Sequence, residues 1–430
     1  MSLDNNIAKS QKPLTIGIDA RITAFSKAGG VGSMIIALIK ALGALTDGDE
    51  QYIIFTYDFN RELLTPYLGS NTKLETIPPT IKMHLVEWIK AAFPSLKRLA
   101  RKMRSMDLIK ISLAQSDGTI ERLGVDVMHF PAQEAFLTKI PSIYQPHDLQ
   151  HIHLPQYFDK GDIRIRELFY RTFCAQVARV VVASSWVKED LIQHFNLPAE
   201  KISVIPLAPP CEGQSLIIDH HELEKILSKH GLTKPFIYYP AATWQHKNHI
   251  QLLEALALLR DKHGVVVPFV SSGHRWESFF PKIWKKVQDL RLEEQVRFLG
   301  FVTPKELIAL YQQSVMTVIP SKFEAGSFPM WEAFQVGSPV ASSNITSLPA
   351  QAAGAALIFD PDDPSDMADK IYRLWTDPSL RKNLSDKGRV RVAQFTWERT
   401  ARQFRALYRE VAGRHLTDEE QSILYAEPLL

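Results

Sequence analysis

"VMTVIPSKFEAGSFPMWEAFQVGSPVASS", residues 315–343, sets two apolar runs of strand length, 315–321 and 339–343, on either side of a segment that reads as loop and then helix. Pro329 fixes where that helix begins. Its ring removes an N–H and disfavours a helical residue before it, so the helix is predicted to start at Pro329, with Ser327 or Phe328 as its cap. Strand, loop, helix and strand make the unit from which parallel sheets with crossover helices are built.

The same unit recurs along the chain. Compact apolar runs at 14–20, 51–58, 125–130, 141–148, 178–185 and 201–208 are interrupted by helical periodicity, notably at 163–177 and 186–195. The pattern lapses over 209–235, which is polar and carries no buried-strand signal. It restarts with strands at 236–241, 265–273, 296–302 and 315–321, separated by helices at 248–261, 277–290 and 304–313; strands at 339–343 and 356–360 follow, then a helical tail from 364. This order predicts an α/β chain with two doubly wound Rossmann-like domains facing a central cleft. The expected divisions are an extended or disordered N-terminus at 1–13, a first domain at 14–210, a linker at 211–234, a second domain at 235–395 and C-terminal helices at 396–430. A length of 430 residues fits two cores better than one.

Composition narrows the function classes. A formal net charge of +3 over 430 residues is too slight to argue for nucleic acid as the main partner. Only Cys174 and Cys211 occur, without the spacing of a zinc site, which fits a reducing, cytoplasmic compartment. Neither a signal peptide nor an apolar run of spanning length is read, so the protein is expected to be soluble or attached to a membrane surface. The segment 81–110 interleaves Trp88, Phe93 and Leu96 with Lys90, Lys97 and Arg98. It suits either peripheral attachment to an anionic membrane or a surface helix packed on its own domain.

In an open α/β sheet, ligands bind at the carboxyl ends of the strands, so the loop after 315–321 is the first place to look. If a helix begins at Pro329, Glu324 lies on the loop and Glu332 in the first helical turn. Unpaired N–H groups at 326–330 and the positive end of the helix would then make an anion site with a carboxylate at each end. A sugar joined to a nucleotide diphosphate has that polarity: hydroxyls, phosphates, hydroxyls. The plainer alternative is a glutamate that favours the helix dipole and another that is simply solvated.

The stretch 321–340, "SKFEAGSFPMWEAFQVGSPV", resembles the E-x7-E signature of retaining glycosyltransferases of the GT-B fold, particularly family 4 of the sequence-based classification. The resemblance implies that Glu324 lies at the hydroxyls of the donor sugar and Glu332 at the nucleotide ribose, with Ser327 and Phe328 between them at the donor. It also implies C-terminal helices that cross back to the first domain. The chain departs from the family's usual EGFG by reading Glu324, Ala325, Gly326, Ser327, and Ala350 stands where an acidic residue is common. These differences bear on which sugar is bound.

Other segments match in order. "SKAGGVGSM", 26–34, lacks dinucleotide-fingerprint spacing but is similar to the family's N-terminal glycine loop, placing Gly29 and Gly30 at the donor diphosphate. "YPAATWQHKNH", 239–249, resembles the family's lysine segment, in which Lys247 would neutralise the leaving diphosphate, with His246 or Arg275 compensating for an arginine that the family often carries upstream. "QPHD", 145–148, matches the family's His-Asp pair, so His147 would sit at the reacting sugar with Asp148 orienting it. Metal binding by His147, His151 and His153 lacks a completing ligand in the local sequence and is set aside, and no metal or cofactor is expected. "VRFLGFV", 296–302, is similar to the strand and loop beneath the nucleotide base, bringing Gly300 and Phe301 to that pocket largely through backbone.

The resemblance implies a retaining, metal-independent hexosyltransferase using a UDP-, GDP- or ADP-sugar and a saccharide or lipid-linked acceptor in the synthesis of cell-surface polysaccharide or exopolysaccharide. The acceptor-binding residues are not read. Rival readings are a nucleotide-sugar epimerase and a non-catalytic membrane-surface or polysaccharide-binding scaffold.

Overall fold

The computed structural model describes residues 12–22, 30–77, 113–210, 218–233 and 235–430. The expectations for Gly29 and for the basic aromatic segment 81–110 lie outside the described residues.

Seven parallel strands form the first sheet: β1 (Thr15–Asp19), β2 (Gln51–Tyr57), β3 (Thr72–Ile77), β4 (Val127–Phe130), β5 (Ser142–Tyr144), β6 (Arg179–Val182) and β7 (Ile202–Val204). Their order across the sheet is β3-β2-β1-β4-β5-β6-β7. Six parallel strands form the second: β8 (Ile237–Pro240), β9 (Phe269–Ser272), β10 (Val296–Phe298), β11 (Met316–Ile319), β12 (Val340–Ser343) and β13 (Ala356–Phe359), in the order β10-β9-β8-β11-β12-β13. In each sheet the strand order reverses beside the first strand, between β1 and β4 and between β8 and β11. Those two switch points are where an open parallel sheet leaves a crevice for a ligand. The central strands are buried throughout, as parallel strands covered on both faces must be.

β3 was not read from the sequence. It is an edge strand that pairs only with β2 among the described residues, and its run TKLETI alternates charged and apolar side chains. A half-covered edge needs no continuous apolar run, so the signal used for the other strands is weak there.

The helices of the first domain that frame its crevice are α1 (Gly30–Ala44), α2 (Lys160–Gln176) and α3 (Ser185–Phe195). Next comes α4 (His220–Lys229), inside the stretch expected as a linker. Asp219 caps it by accepting the Glu222 N–H, and it buries only Ile226 and Leu227. Two buried residues in ten left no apolar stripe to read. An ion pair from Lys229 and a hydrogen-bond contact from His230 to Glu306, at 2.6 and 3.1 Å, fasten its end to the second half of the chain.

In the second half, α5 (His249–His263), α6 (Phe280–Asp289), α7 (Pro304–Gln313), α8 (Phe328–Val336) and α9 (Leu348–Ala352) alternate with the strands. They are followed by α10 (Pro364–Thr376), α11 (Pro378–Val392), α12 (Trp397–Val411) and α13 (Asp418–Leu424). As expected of this fold, the tail returns to the first domain. The Trp397 indole N–H donates to the Pro209 carbonyl at 2.8 Å and the Thr400 hydroxyl to that of Pro206 at 2.9 Å. Arg405 and Arg409 pair with Asp47 and Glu50, each at 2.5 Å. Inside, His129 of β4 links the Tyr408 hydroxyl, 2.8 Å from Nδ1, to the Gln145 side chain, 2.9 Å from Nε2. Burial pushes that imidazole down to about 3, so it is held neutral. This clasp explains why one apolar cluster runs continuously from Ile16 and Ile35 through Phe404 and Tyr408 to Trp331 and Phe334.

Candidate functional site

The loop leaving β11 and the start of α8 carry both glutamates. α8 begins one residue earlier than Pro329 predicts, at Phe328, because Ser327 supplies the cap: its hydroxyl accepts the Met330 N–H at 3.4 Å and its backbone is extended. Proline therefore occupies the second helical position, where its missing N–H is equally harmless. Glu324 is fixed through its backbone: Thr346 Oγ1 and Ser347 Oγ donate to its carbonyl at 2.5 and 3.0 Å. Its side chain then projects to meet Lys247, whose Nζ lies 2.5 Å from Oε1, and Ser321, whose hydroxyl donates to the same oxygen at 2.6 Å. The buried Tyr239 hydroxyl, 2.9 Å from Ser321 Oγ, completes a chain from the core of the sheet to the carboxylate.

Glu332 has different surroundings. The Tyr311 hydroxyl on α7 donates to its Oε2 at 2.7 Å, and burial pushes the carboxyl above its ordinary range although that hydrogen bond works in the opposite direction. Oε1 is left to accept from something else. One carboxylate is thus paired with a lysine and the other held by a tyrosine. They cannot act as an acid and base sharing one proton.

The anion cradle expected at 326–330 is smaller than the sequence suggests. Ser327 donates its backbone N–H to Gln351 Oε1 at 2.8 Å and accepts from Gln351 Nε2 at 2.7 Å, so that residue is clamped to α9. Met330 is occupied by the cap and Pro329 has no N–H. The N–H groups of Gly326 and Phe328 remain, with no hydrogen bond among the described residues.

Lys247 ends a single turn, Gln245–Lys247, after β8. Asn248 turns the chain there with a φ of 58° and donates its side-chain N–H to the Pro361 carbonyl at 2.8 Å, and α5 follows. The Lys322 N–H donates to the His246 carbonyl at 2.7 Å, so the loops after β8 and β11 are tied together at the switch point. The His246 imidazole is pushed well below its ordinary value, first by burial and then by the charge of Lys247. Arg275, the other residue considered for the missing upstream arginine, is engaged elsewhere in this structure: its guanidinium donates to the Phe298 carbonyl and lies 5.3 Å from the centre of the Phe280 ring.

From the first domain, Gly30 opens α1 and faces α8. A Cβ placed on it would stand 3.1 Å from the Phe328 ring, so glycine is what lets this helix end approach the loop of the second domain. His147 sits just past β5 with a φ of 68°, a left-handed conformation that is uncommon outside glycine. Its Nε2 is 2.9 Å from the Pro131 carbonyl, which can only accept, so the proton is on Nε2 and Nδ1 presents a lone pair. Burial lowers its pKa and keeps the ring neutral. Asp148 does not orient it by hydrogen bond: that carboxylate accepts the Gln150 N–H at 3.0 Å and begins the turn Gln150–His153. His151 turns instead to Glu167 and His153 to Asp190, at 3.0 and 2.7 Å, so the three histidines have three different partners.

Gly300 has a φ of 75° and its carbonyl accepts the Gly273 N–H at 2.7 Å, joining the loops after β9 and β10. Phe301 beside it is 69 % exposed and stacks on His274, with ring centres 5.8 Å apart. Trp244 and Trp276 stack at 4.0 Å on the same rim. Sequence reasoning named Phe301 but passed over His274, Trp244 and Trp276 on this rim, as it did Ser321, Tyr239, Tyr311 and Gln351. Two exposed tryptophans on separate loops were the one available signal.

The model described as Glycosyltransferase Family 4 matches residues 28–208, and that described as Glycosyl transferases group 1 matches 222–391. The chain is 30% identical over 254 residues to O-antigen chain mannosyltransferase B of Escherichia coli, a stretch covering 59% of this chain and 66% of that one. It is 26% identical over 245 residues to the serotype-specific mannosyltransferase WbdA of the same organism, covering 56% of this chain and 30% of that one. The matches therefore span less than two thirds of these relatives. The fold is shared with Anabaena Alr3699/HepE in complex with UDP-glucose, at a TM-score of 0.64 and 16% identity over 92% of this chain and 100% of that one. The chain belongs to the group 1, family 4 glycosyltransferases and has their GT-B fold.

Proposed function

We propose that the protein is a retaining glycosyltransferase that moves a hexose from a nucleotide diphosphate sugar to a saccharide or lipid-linked saccharide in the synthesis of a cell-surface polysaccharide. The observation that carries the reading is the contact of Lys247 with Glu324 at 2.5 Å, on two loops tied together at the β8/β11 switch point. Without a donor, each charge neutralises the other. A donor entering there exchanges this pair for two better-matched partners, phosphate for the lysine and sugar hydroxyls for the glutamate.

In this reading the diphosphate lies between Lys247, the N–H groups of Gly326 and Phe328, and the end of α1 at Gly30. The bond to the anomeric carbon breaks toward those donors, which take up the developing charge without calling on a divalent metal ion. Glu332 Oε1 accepts from the ribose, and Gly300 and Phe301 border the base. His147 faces the sugar from the first domain as a neutral ring with Nδ1 able to accept. No residue is placed as a covalent nucleophile, so attack of the acceptor on the face that the phosphate leaves, with that phosphate receiving the acceptor proton, accounts for retention.

Mannose is the first sugar to try, since two relatives bear mannosyltransferase names. No helix among the described residues is long and apolar enough to cross a membrane. Work at the cytoplasmic face of a membrane is the setting we propose.

Calorimetry with a panel of UDP-, GDP- and ADP-sugars tests the reading. Saturable binding of one nucleotide class, lost in Lys247→Met, is expected. Binding of none favours a scaffold, and an epimerised sugar in donor-only incubations favours an epimerase.

A further inference from the structure

We infer that His153, Asp190 and His194 form a binding site for a divalent transition-metal ion of the zinc class, on the wall of the first domain beside the donor loop. One ligand atom from each of the three lies within 4.8 Å of the others. Asp190 and His194 are four residues apart on α3, a spacing that puts both side chains on one helix face. His153 comes from the turn Gln150–His153 and completes the set from the opposite side. His153 Nε2 is 2.7 Å and His194 Nδ1 3.0 Å from the same oxygen, Asp190 Oδ1. The two imidazoles approach at 74° with centres 5.3 Å apart.

A second observation points to an occupant. Asp190 is 4 % exposed, yet its Oδ2 is buried with no hydrogen-bond partner among the described residues. Here Oδ1 takes the His153 ring, His194 Nδ1 stands 3.0 Å from both Oδ1 and the Asp190 backbone carbonyl, and Oδ2 is bare. Around a tetrahedral ion with bonds of about 2.0–2.1 Å, ligand atoms stand roughly 3.4 Å apart, so small side-chain rotations convert the cluster into a coordination shell. To bind, the rings must be neutral with the proton of His153 on Nδ1 and that of His194 on Nε2, so His194 gives up the Nδ1–H that it directs at the Asp190 backbone carbonyl, 3.0 Å away. Two imidazoles and one carboxylate suit zinc, cobalt or nickel better than magnesium or calcium. The histidine side chains are 30% and 27% exposed, which leaves the fourth position to water.

The place of the site gives it a consequence. The His153 ring lies 5.4 Å from Phe323, and Trp186 of α3 lies 5.7 Å from the same ring. Phe323 is 3 % exposed and adjoins Glu324. An ion here would fix the turn to α3 and hold the wall against which the donor loop packs. It stands apart from the diphosphate position and takes no part in the transfer step.

The test uses the full chain, stripped with a chelator, dialysed, and titrated with Co²⁺ followed by absorption and with Zn²⁺ followed by calorimetry. Expected is one ion per chain, visible cobalt bands, and a thermal midpoint raised by zinc. Both His153→Gln and His194→Gln should weaken binding by more than the roughly 10–100-fold that losing a hydrogen-bond partner of a ligand costs. Glu324→Ala should bind as the unaltered protein does. His194→Gln lies on the solvent side and serves if changes at Asp190 disturb folding. Absence of saturable binding, or equal binding by the His153→Gln/His194→Gln double variant, would overturn the site. Failure of nucleotide-sugar binding leaves this result unaffected.

Discussion

Replacing Glu324 by Gln separates two effects that the proposed site joins. In the protein without donor, the Lys247 ammonium and the Glu324 carboxylate are 2.5 Å apart with side chains 20% and 13% exposed. A hydrogen bond between charged groups in such a position nets about 1.5–3 kcal/mol. A nucleoside diphosphate that claims Lys247 must first give that up, which corresponds to a factor of about 10–150 in its dissociation constant. Gln keeps the shape and still accepts from Ser321, but it no longer competes for the lysine. Nucleoside diphosphate should therefore bind Glu324→Gln more tightly, by about tenfold, the low end of the range because water reaches the pair. Turnover of the whole donor should fall, since the sugar hydroxyls lose a charged acceptor. Calorimetry with UDP, GDP and ADP against both proteins provides the comparison. Unchanged or weaker diphosphate binding in Glu324→Gln would refute the idea that donor and glutamate compete for Lys247.

Three other outcomes follow from the same structure. Burial holds His129 and His249 down at about 3 from an ordinary 6.5, so between those values the unfolded chain binds more protons and stability rises with pH, by up to about 1.4 kcal/mol per unit for each. Because both His249 ring nitrogens lack partners among the described residues, His249→Phe should cost under about 1 kcal/mol at pH 7 and flatten the acid limb, as denaturant midpoints at pH 5 and 7 will report. Tyr311→Phe removes the hydrogen bond that opposes the burial of Glu332, so its carboxyl should rise further and donor affinity should begin to fall at a higher pH than in the unaltered protein; an unshifted pH profile would remove Glu332 from the ribose. Gly30→Ala pushes a methyl to 3.1 Å from Phe328 and should lower kcat/KM several-fold, a strain of about 1 kcal/mol, with little change in the thermal midpoint.

Much of this arrangement is legible in the sequence because parallel strands buried on both faces are written as unbroken apolar runs. β4, β6, β9 and β11 were found that way, and Pro329 placed the start of α8 to within one residue. What was missed has a common physical origin. β3 and α4 bury little, so they need little pattern. The Gln351 clamp on Ser327 joins residues 24 apart through side-chain bonds to backbone, and no local periodicity encodes such a contact. Asp148 was assigned to His147 by resemblance to the family's His-Asp pair, yet the left-handed turn at His147 sends the ring to Pro131 and leaves the aspartate to the following turn. The candidate residues could be named one by one. The partners that aim each residue could not.

The central claim is that Glu324 and Lys247 meet a nucleotide diphosphate sugar at the mouth of the second sheet. It is tested most directly by donor turnover in Glu324→Ala, measured as nucleoside diphosphate released from the donor that binds best, with an acceptor saccharide present and the thermal midpoint recorded alongside. The account expects turnover to drop by about 10²–10³ while the protein remains folded. Turnover within a few-fold of the unaltered protein would contradict it.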